Sequence, residues 1–267
     1  MRNIHYHLRN LNVNGKQRLI TVYSAADSDE QKFLYGKYKE RLLSSTHSSV
    51  FSYIPGLSNF DAVASVFNQE PAYAYFIKVD IDSYFPSINR QILIDRLIQF
   101  MDPYEAFELC RYAFCCPSGI AEGSALSPAL SNVYLFDFDE KMTALSDCFY
   151  IRYCDDMLFL TNMDPFALIY RIQRELNTVG LSVKLDKTEI GALEDGVTFV
   201  GYFIDSNGVS IKEDRVADIM DRIRNEPDET KRAQIINGFK AYAQSPERLP
   251  GGGDADEFLS YAGDWGE

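Results

Sequence analysis

The fold is decided by residues 149–160, which read Phe-Tyr-Ile-Arg-Tyr-Cys-Asp-Asp-Met-Leu-Phe-Leu. Two apolar, aromatic-rich runs flank the adjacent carboxylates Asp155 and Asp156. Such runs are typical of β-strands, and aspartate tolerates turn geometry that a β-branched residue would not. The stretch therefore predicts two antiparallel strands joined by a tight turn, with Cys154 to Asp156 at the tip.

Adjacent aspartates at a hairpin tip repel each other and gain nothing from packing. One interpretation is a solvated turn, which describes most Asp-Asp pairs. The other is a cation site, because carboxylate oxygens suit hard ions such as Mg²⁺ and Mn²⁺. The pair alone does not decide between them, so the rest of the chain has to.

A second acidic strand, residues 73–82, ends in Asp80 and Asp82. Helices follow it, then the hairpin, another helix and another strand, and this order predicts a βαββαβ arrangement. The first strand then lies beside the hairpin, so Asp80 is expected next to Asp155 and Asp156. Three carboxylates at one sheet edge could hold two cations about 4 Å apart, as in-line displacement at phosphorus requires. A structural calcium site could also use them, but it would not account for the flanking pattern.

The other elements follow from apolar periodicity and from start and stop residues. Ser127 followed by Pro128 predicts a helix start with serine as the N-cap. Residues 51–57 are expected to be extended, and residues 119–125 to form a flexible loop. The remaining predicted strands are 15–23, 181–185, 197–204 and 209–211; the predicted helices are 29–43, a short one opening at 59, 89–100, 104–114, 127–145, 164–180, 212–225 and 229–243.

The composition is that of a compact folded protein, with 46% hydrophobic and 13% aromatic residues among 267. No apolar run approaches the roughly 20 residues of a membrane span, and the first residues lack the apolar core of a secretory signal. We therefore expect a cytoplasmic protein with no membrane association. Five cysteines without a Cys-x-x-Cys pair predict reduced thiols rather than a zinc site.

The net charge of −13 is unevenly distributed. It is +4 over residues 1–50, −9 over residues 51–190 and −8 over residues 191–267. A polyanion is therefore expected to meet the N-terminal part first. The overall acidity argues against strong nonspecific nucleic-acid binding, which depends on Lys and Arg neutralising phosphates.

Five motifs make the chain similar to the reverse transcriptases over roughly residues 14–211. They are Lys78 to Phe85, Glu122 to Asn132 (a Gly-x-x-x-Ser-Pro loop and helix), Tyr153 to Asp156 (Tyr-x-Asp-Asp), Gly180 to Thr188, and Phe199 to Tyr202. One such match is weak, but five in the right order favour polymerase ancestry strongly. The resemblance implies an α+β right-hand polymerase with a ferredoxin-like βαββαβ palm, fingers and a short helical thumb.

The resemblance also implies domain boundaries. The fingers would be residues 1–73 and the palm residues 74–206, with fingers-side helices at about 89–118. Residues 207–267 would form a short thumb and an acidic tail.

Metal binding is the first role that the resemblance implies for particular residues. The ligands of Mg²⁺, or else of Mn²⁺, would be Asp80, Asp155, Asp156 and the backbone carbonyl of Ile81. Lys187 would protonate the leaving pyrophosphate, although an exposed structural lysine is nearly as common at such a position.

Substrate binding is the second implied role. Arg18, with Lys16 nearby, would clamp the incoming triphosphate, because a guanidinium binds phosphate oxygens through two parallel hydrogen bonds. Phe85 matches the aromatic gate beneath the sugar, with a core phenylalanine as the alternative. The remaining substrate-binding residues implied are Glu122, Gly123, Ser127 and Tyr153. Glu122 stands where the family usually has glutamine, and a lone carboxylate there would repel a triphosphate.

The implied partners are deoxynucleoside triphosphates, an RNA template such as a structured non-coding RNA, and the nascent DNA. A protein partner or a second copy of the chain is also expected, because only 56 residues follow Ile211 for a thumb. Nothing resembles an RNase H, HNH endonuclease or maturase region. The chain is thus most similar to small bacterial stand-alone enzymes: retron-like, abortive-infection or defence-associated, with a role in defence against phage.

Two alternatives stay open at this point. The same active site could synthesise DNA without a template or from a protein primer, for which any of the 17 tyrosines could serve. A palm used as a non-catalytic RNA-binding scaffold is the other alternative. A scaffold has no use for clustered, mutually repelling carboxylates.

Overall fold

The computed structural model describes residues 3–13, 15–69 and 72–249. Its strands are β1 (Tyr6–Val13), β2 (Lys16–Tyr23), β3 (Tyr75–Asp80), β4 (Cys148–Tyr153), β5 (Asp156–Thr161), β6 (Glu189–Ala192), β7 (Val197–Phe199), β8 (Tyr202–Asp205) and β9 (Gly208–Ser210). Its helices are α1 (Ala25–Ser44), α2 (Asn59–Phe67), α3 (Tyr84–Ser87), α4 (Arg90–Leu97), α5 (Pro103–Ala113), α6 (Ser127–Tyr134), α7 (Phe136–Thr143), α8 (Pro165–Thr178), α9 (Glu213–Asn225) and α10 (Glu229–Ala243). The predicted acidic tail, residues 251–267, lies outside the described residues.

The central sheet has four strands in the order β4-β5-β3-β6, and all neighbours are antiparallel. Helices α3 to α7 connect β3 to β4, and α8 connects β5 to β6. This is the βαββαβ arrangement that the sequence predicts, with β3 directly beside β5. The mixed α+β class is therefore confirmed.

The fourth strand of this sheet does not lie where the sequence predicts it. Residues 181–185 form only an isolated bridge between Val183 and Ile81, and a 3₁₀ turn at Leu185–Lys187 follows. The chain then re-enters as β6, which pairs with β3 from Tyr75 to Lys78. Residues 181–185 pair with this part of the chain only at and beyond Asp80, the last residue of β3.

The central sheet carries a hydrophobic core on each face. Because strand side chains alternate between faces, Ile77 and Val79 enter the first core and Phe76 enters the second. Helices α1 and α4 to α8 complete the first core. Helices α2, α9 and α10 and the small β7-β8-β9 sheet complete the second. With both faces covered, the functional groups lie at the end of the sheet.

Strands β1 and β2 form a separate hairpin. The sequence predicts β2 but not β1, because this ribbon is largely exposed and β1 lacks a clear apolar face. The hairpin is joined to the rest of the protein at Thr21, whose N–H donates to the Glu122 carbonyl at 2.7 Å. Residues 119–125, predicted to be a flexible loop, are therefore anchored to β2.

Several predicted elements differ in the structure in where they begin, where they end or what conformation they take. Helix α1 begins at Ala25 with Ser24 as its N-cap, earlier than predicted. The single helix predicted for residues 127–145 is two helices, α6 and α7, that meet at the fully buried Leu135. Ser127 is not an N-cap, because α6 is preceded by Leu126 and has no side-chain cap. Residues 51–57, predicted to be extended, form consecutive turns.

No helix within the described ranges combines the length and the apolar character that a membrane crossing requires.

Candidate active site

Three carboxylates meet at one end of the central sheet. Asp80, the last residue of β3, lies directly opposite Asp156, the first residue of β5. Asp155 precedes it in the two-residue turn between β4 and β5, as the sequence predicts. Residues directly opposite in an antiparallel pair have side chains on the same face, and like charges there destabilise the pair.

Burial and the neighbouring negative charges both change the acidity of Asp156. Burial, and then the negative charges of Asp155 and Asp80, raise the pKa of the Asp156 carboxyl from 3.8 to about 6, although Lys78 and Lys187 act in the opposite direction. A cation bound at the cluster would remove the Coulombic part of this penalty.

Lys187 supplies a positive charge at the cluster. Its ammonium group forms an ion pair with Asp80, whose side chain is 14% exposed. Lys78, on β3, is paired instead with Glu189 at 2.8 Å. Lys187 therefore lies beside the carboxylate of Asp80, and its role as a proton donor stays a prediction.

The donor atoms of the cluster suit a divalent cation, although their arrangement does not yet form a metal site. Carboxylate oxygens are the donors that Mg²⁺ and Mn²⁺ prefer. Even so, across residues 3–13, 15–69 and 72–249 no group of three or more His, Cys, Asp or Glu side chains is arranged to hold a metal ion. The Lys187 ammonium at Asp80 has the charge that a cation would bring, so a metal would have to displace it. The donor chemistry therefore fits, with this rearrangement.

The backbone at Ile81 is directed toward the same edge. Two hydrogen bonds flank the bridge between Ile81 and Val183. The Lys184 N–H donates to the Asp80 carbonyl at 2.8 Å, and the Asp82 N–H donates to the Ser182 carbonyl at 2.9 Å. In an antiparallel pair of this type, the central residue's own N–H and C=O point away from the bridge partner. For Ile81 that direction is the side on which β5 lies.

A second group of predicted residues is formed by Arg18 and Glu122. The Arg18 guanidinium Nη1 donates to Glu122 Oε2 at 3.2 Å, across the contact between β2 and the loop before α6. Glu122, 21% exposed, is therefore not an isolated carboxylate, because Arg18 compensates its charge. The side chain of Lys16 lies outside the part of the chain that the structure describes.

Gly123 lets this loop approach β2. Its φ of +102° is a backbone conformation that favours glycine. A Cβ on Gly123 would lie only 2.4 Å from the Thr21 carbonyl oxygen. The glycine is thus required for the contact that places Glu122 beside Arg18.

The remaining predicted residues lie around these two groups. Phe85 is half-buried in α3, its ring is 5.7 Å from the Tyr84 ring, and its carbonyl accepts from the Ile120 N–H at 2.9 Å. Tyr153 is half-buried against the second core. Ser127 is fully buried, and its hydroxyl finds no hydrogen-bond partner among the described residues.

Sequence reasoning missed a buried polar network behind the hairpin. Arg152 and Asp139 form a fully buried ion pair at 2.6 Å, and Ser52 and Asn132 extend the network. The one available signal is Arg152 itself, a charged residue in an otherwise apolar strand. Nothing local marks Ser52, which lies 102 residues from its partner Cys154.

The fold is shared with solved telomerase structures. Apo telomerase from Candida tropicalis matches with a TM-score of 0.60 and 12% identity, over 82% of this chain and 52% of that chain. Telomerase from Candida albicans, in complex with a TWJ fragment of telomeric RNA, matches with a TM-score of 0.58 and 11% identity, over 95% of this chain and 57% of that chain. The C. tropicalis protein truncated from its C-terminal domain gives a TM-score of 0.55 and 17% identity, over 75% and 53% of the two chains.

At these identities the similarity shows the fold alone, and it confirms the predicted right-hand polymerase. The chain spans about half the length of the telomerase chains it matches.

The family described as reverse transcriptase (RNA-dependent DNA polymerase) matches residues 5–204, most of the chain. The chain therefore belongs to the reverse transcriptase family, whose members are RNA-directed DNA polymerases and hence nucleotidyltransferases. No curated protein matches the chain significantly. The family resemblance seen in the five motifs is thus confirmed, and the bacterial stand-alone subtype stays a prediction.

Proposed function

We propose that this chain copies RNA into DNA by adding deoxynucleotides to a primer 3′-hydroxyl. The observation that carries the proposal is the meeting of Asp80, Asp155 and Asp156 at one edge of the palm sheet. These carboxylates come from two motifs 75 residues apart and lie inside the region of the family match. Such a cluster is costly to the fold, and phosphoryl transfer is the chemistry that uses it.

Divalent cations are part of the proposal. Asp80, Asp155, Asp156 and the Ile81 carbonyl would hold Mg²⁺ or Mn²⁺. When bound, such ions lower the pKa of the primer hydroxyl and neutralise the leaving pyrophosphate. The raised pKa of Asp156 supports this assignment, because burial and then the negative charges of Asp155 and Asp80 make its ionised form unfavourable when no cation is bound.

The chain's own side chains would act on the nucleotide from two sides. Arg18 would bind the triphosphate oxygens, which compete with Glu122 for the same guanidinium donors. Lys187 holds a proton on its ammonium beside Asp80 and would deliver it to the pyrophosphate. Phe85 would lie against C2′ of the sugar and exclude a 2′-hydroxyl.

The partners and the domain roles complete the proposal. We assign residues 1–73 to the fingers, 74–206 to the palm and 207–267 to a short thumb and tail. The net charge of −13 supports dependence on a structured RNA or on a more basic protein for tight primer–template binding. The setting in bacterial defence against phage, and the cytoplasm as location, rest on the resemblance to small stand-alone enzymes.

Primer extension with a matched pair of variants tests the proposal. Asp155→Ala should abolish extension of a DNA primer on an RNA template while leaving the fold intact, because Asp155 lies in a turn and contributes charge rather than packing. Asp29→Ala, which removes an exposed carboxylate from α1, is the control and should extend as the wild type does.

Three results would contradict the proposal. Wild-type extension by Asp155→Ala would remove the carboxylates from the chemistry. Equal extension by the wild type with and without a template would favour untemplated synthesis. A nucleotide covalently attached to the protein would favour protein priming.

A further inference from the structure

The turn residue Cys154, directly before Asp155, is held at three of its atoms. Its N–H donates to Ser52 Oγ at 2.8 Å, its carbonyl accepts from Arg152 Nη1 at 3.1 Å, and its Sγ lies 3.4 Å from the Tyr53 hydroxyl. The φ of Cys154 is +60°, a left-handed conformation that is uncommon outside glycine. Contacts with Ser52, Tyr53 and Arg152 therefore hold Cys154 in a backbone conformation that is unfavourable for cysteine.

Ser52 is itself fixed in place. It is fully buried, and its carbonyl accepts from Asn132 Nδ2 at 2.8 Å. The segment before it runs alongside β4, where the Phe51 N–H donates to the Arg152 carbonyl at 3.0 Å and the Arg152 N–H donates to the Ser49 carbonyl at 2.9 Å. The hydroxyl that holds Cys154 thus belongs to a largely buried segment whose backbone is hydrogen-bonded to β4 and to Asn132.

Arg152 is anchored by a carboxylate deep in the protein. Its Nε and Nη2 donate to the two oxygens of Asp139 at 2.9 and 2.6 Å, and the Tyr150 hydroxyl donates to Asp139 at 2.7 Å. Arg152 and Asp139 are both fully buried. Burial lowers the pKa of the Arg152 guanidinium, but the Asp139 carboxylate outweighs this effect and keeps that pKa above its usual range.

A buried ion pair of this kind is a weak source of stability, since well-packed apolar residues often serve as well or better. Apolar side chains, however, cannot donate a hydrogen bond to a turn. Arg152 uses Nε and Nη2 for Asp139, and Nη1 for Asn132 and the Cys154 carbonyl. The planar guanidinium fixes the angle between these two directions.

We propose that Arg152 and Ser52 are positioning residues that hold the turn at Cys154 in its left-handed form and so present the Asp155 carboxylate beside Asp80 and Asp156. The inference rests on the proposed function, because the position of Asp155 matters for activity only if the three carboxylates take part in catalysis. Through the buried pair of Arg152 and Asp139, the position of the turn depends on the core of the protein rather than on its surface.

Ser52→Ala is the most direct test, because it removes one hydrogen bond and almost no volume. Loss of a partner for the half-buried Cys154 N–H should speed hydrogen exchange of the hairpin-tip amides by roughly 5- to 150-fold, with other regions unchanged. Binding of Mn²⁺ alone, followed by electron paramagnetic resonance, should weaken by about tenfold or more, as for other losses of support behind a metal ligand. In primer extension, kcat should fall and the apparent Mg²⁺ requirement should rise, while KM for the nucleotide stays within about twofold.

Ser45→Ala is the matched control. Ser45 is equally buried, and its hydroxyl makes one hydrogen bond, to the Arg41 carbonyl at 2.7 Å, at the end of α1. This variant should change none of these readouts, although it could lower the melting temperature. A second variant, Arg152→Met combined with Asp139→Leu, removes the network while keeping an apolar core, and should reproduce the Ser52→Ala effects.

Wild-type exchange at the hairpin tip together with wild-type Mn²⁺ binding, in either Ser52→Ala or the double variant, would overturn the inference. If the wild-type protein extends no primer, the proposed function fails. The exchange and Mn²⁺ measurements still decide whether the network holds the turn, so the two failures can be told apart.

Discussion

Replacing Glu122 with glutamine should make the protein bind deoxynucleoside triphosphates more tightly. In the structure the Glu122 carboxylate accepts from Arg18 at 3.2 Å, so a triphosphate has to compete with it for the guanidinium. The Glu122 backbone is tied to Thr21, so the carboxylate also stays close when the nucleotide arrives. Glutamine keeps the shape and removes the charge.

The size of the effect follows from these two contributions. A partly exposed ion pair is worth about 0.2–1 kcal/mol, and repulsion between the carboxylate and the triphosphate adds an energy on the order of 1 kcal/mol. Together they amount to about 1–2 kcal/mol, so KM for the nucleotide should fall by roughly 5- to 30-fold. The value of kcat should change little, because the three aspartates are untouched.

Steady-state single-nucleotide extension at saturating primer–template measures both constants. The control is Glu229→Gln, which makes the same charge change at an exposed position in the first turn of α10. A KM that is unchanged or higher in Glu122→Gln, or a fall of equal size in both variants, would refute the competition between Glu122 and the triphosphate for Arg18.

The other predictions concern single residues around the site. Phe85→Ala should admit ribonucleotides, changing the ratio of kcat/KM between matched ribo- and deoxynucleotides by roughly 30- to 1000-fold; an unchanged ratio in a folded variant would return Phe85 to a packing role. Asp156 should destabilise the metal-free protein above pH 6, since a pKa raised to about 6 makes the ionised form unfavourable in the folded state, and this penalty disappears as pH falls toward 4. Asp156→Asn should therefore raise the melting temperature in EDTA more at pH 7 than at pH 4.5, and an equal shift at both would contradict the assignment. Gly123→Ala should lower the melting temperature and weaken nucleotide binding, because its Cβ would collide with the Thr21 carbonyl; a fully stable variant would argue against the tight loop.

The sequence carries enough information to predict the cluster of three carboxylates, because the cluster depends on local patterns and on the order of the elements. The aromatic strands on both sides of Asp155 and Asp156 predict their own pairing, and the order of elements places Asp80 beside them. The register that sets Asp80 opposite Asp156 follows from a sheet with two buried faces, where a slip of one residue would exchange the cores.

Other features depend on contacts that no local pattern encodes. The pairing of Arg18 with Glu122 joins residues 104 positions apart, so a glutamate that looks unfavourable in the sequence is compensated in the structure. The apolar residues of the first helix predict one face with Phe33, Leu34, Tyr38 and Leu42, yet Phe33 is 64% exposed. Successive residues of a helix point about 100° apart, and the core takes Leu34, Tyr38 and Leu42, which are four residues apart.

The central claim, that the carboxylates act together as one polymerase site, is tested most directly by the rate of single-nucleotide addition in Asp80→Asn, Asp155→Asn and the double variant. If the carboxylates hold the same cations, each single variant should lose about 1000-fold or more, and the double variant should be no slower than the worse single one, because groups that act as a unit are not additive. Near-wild-type rates in either single variant, or losses that multiply in the double variant, would contradict it.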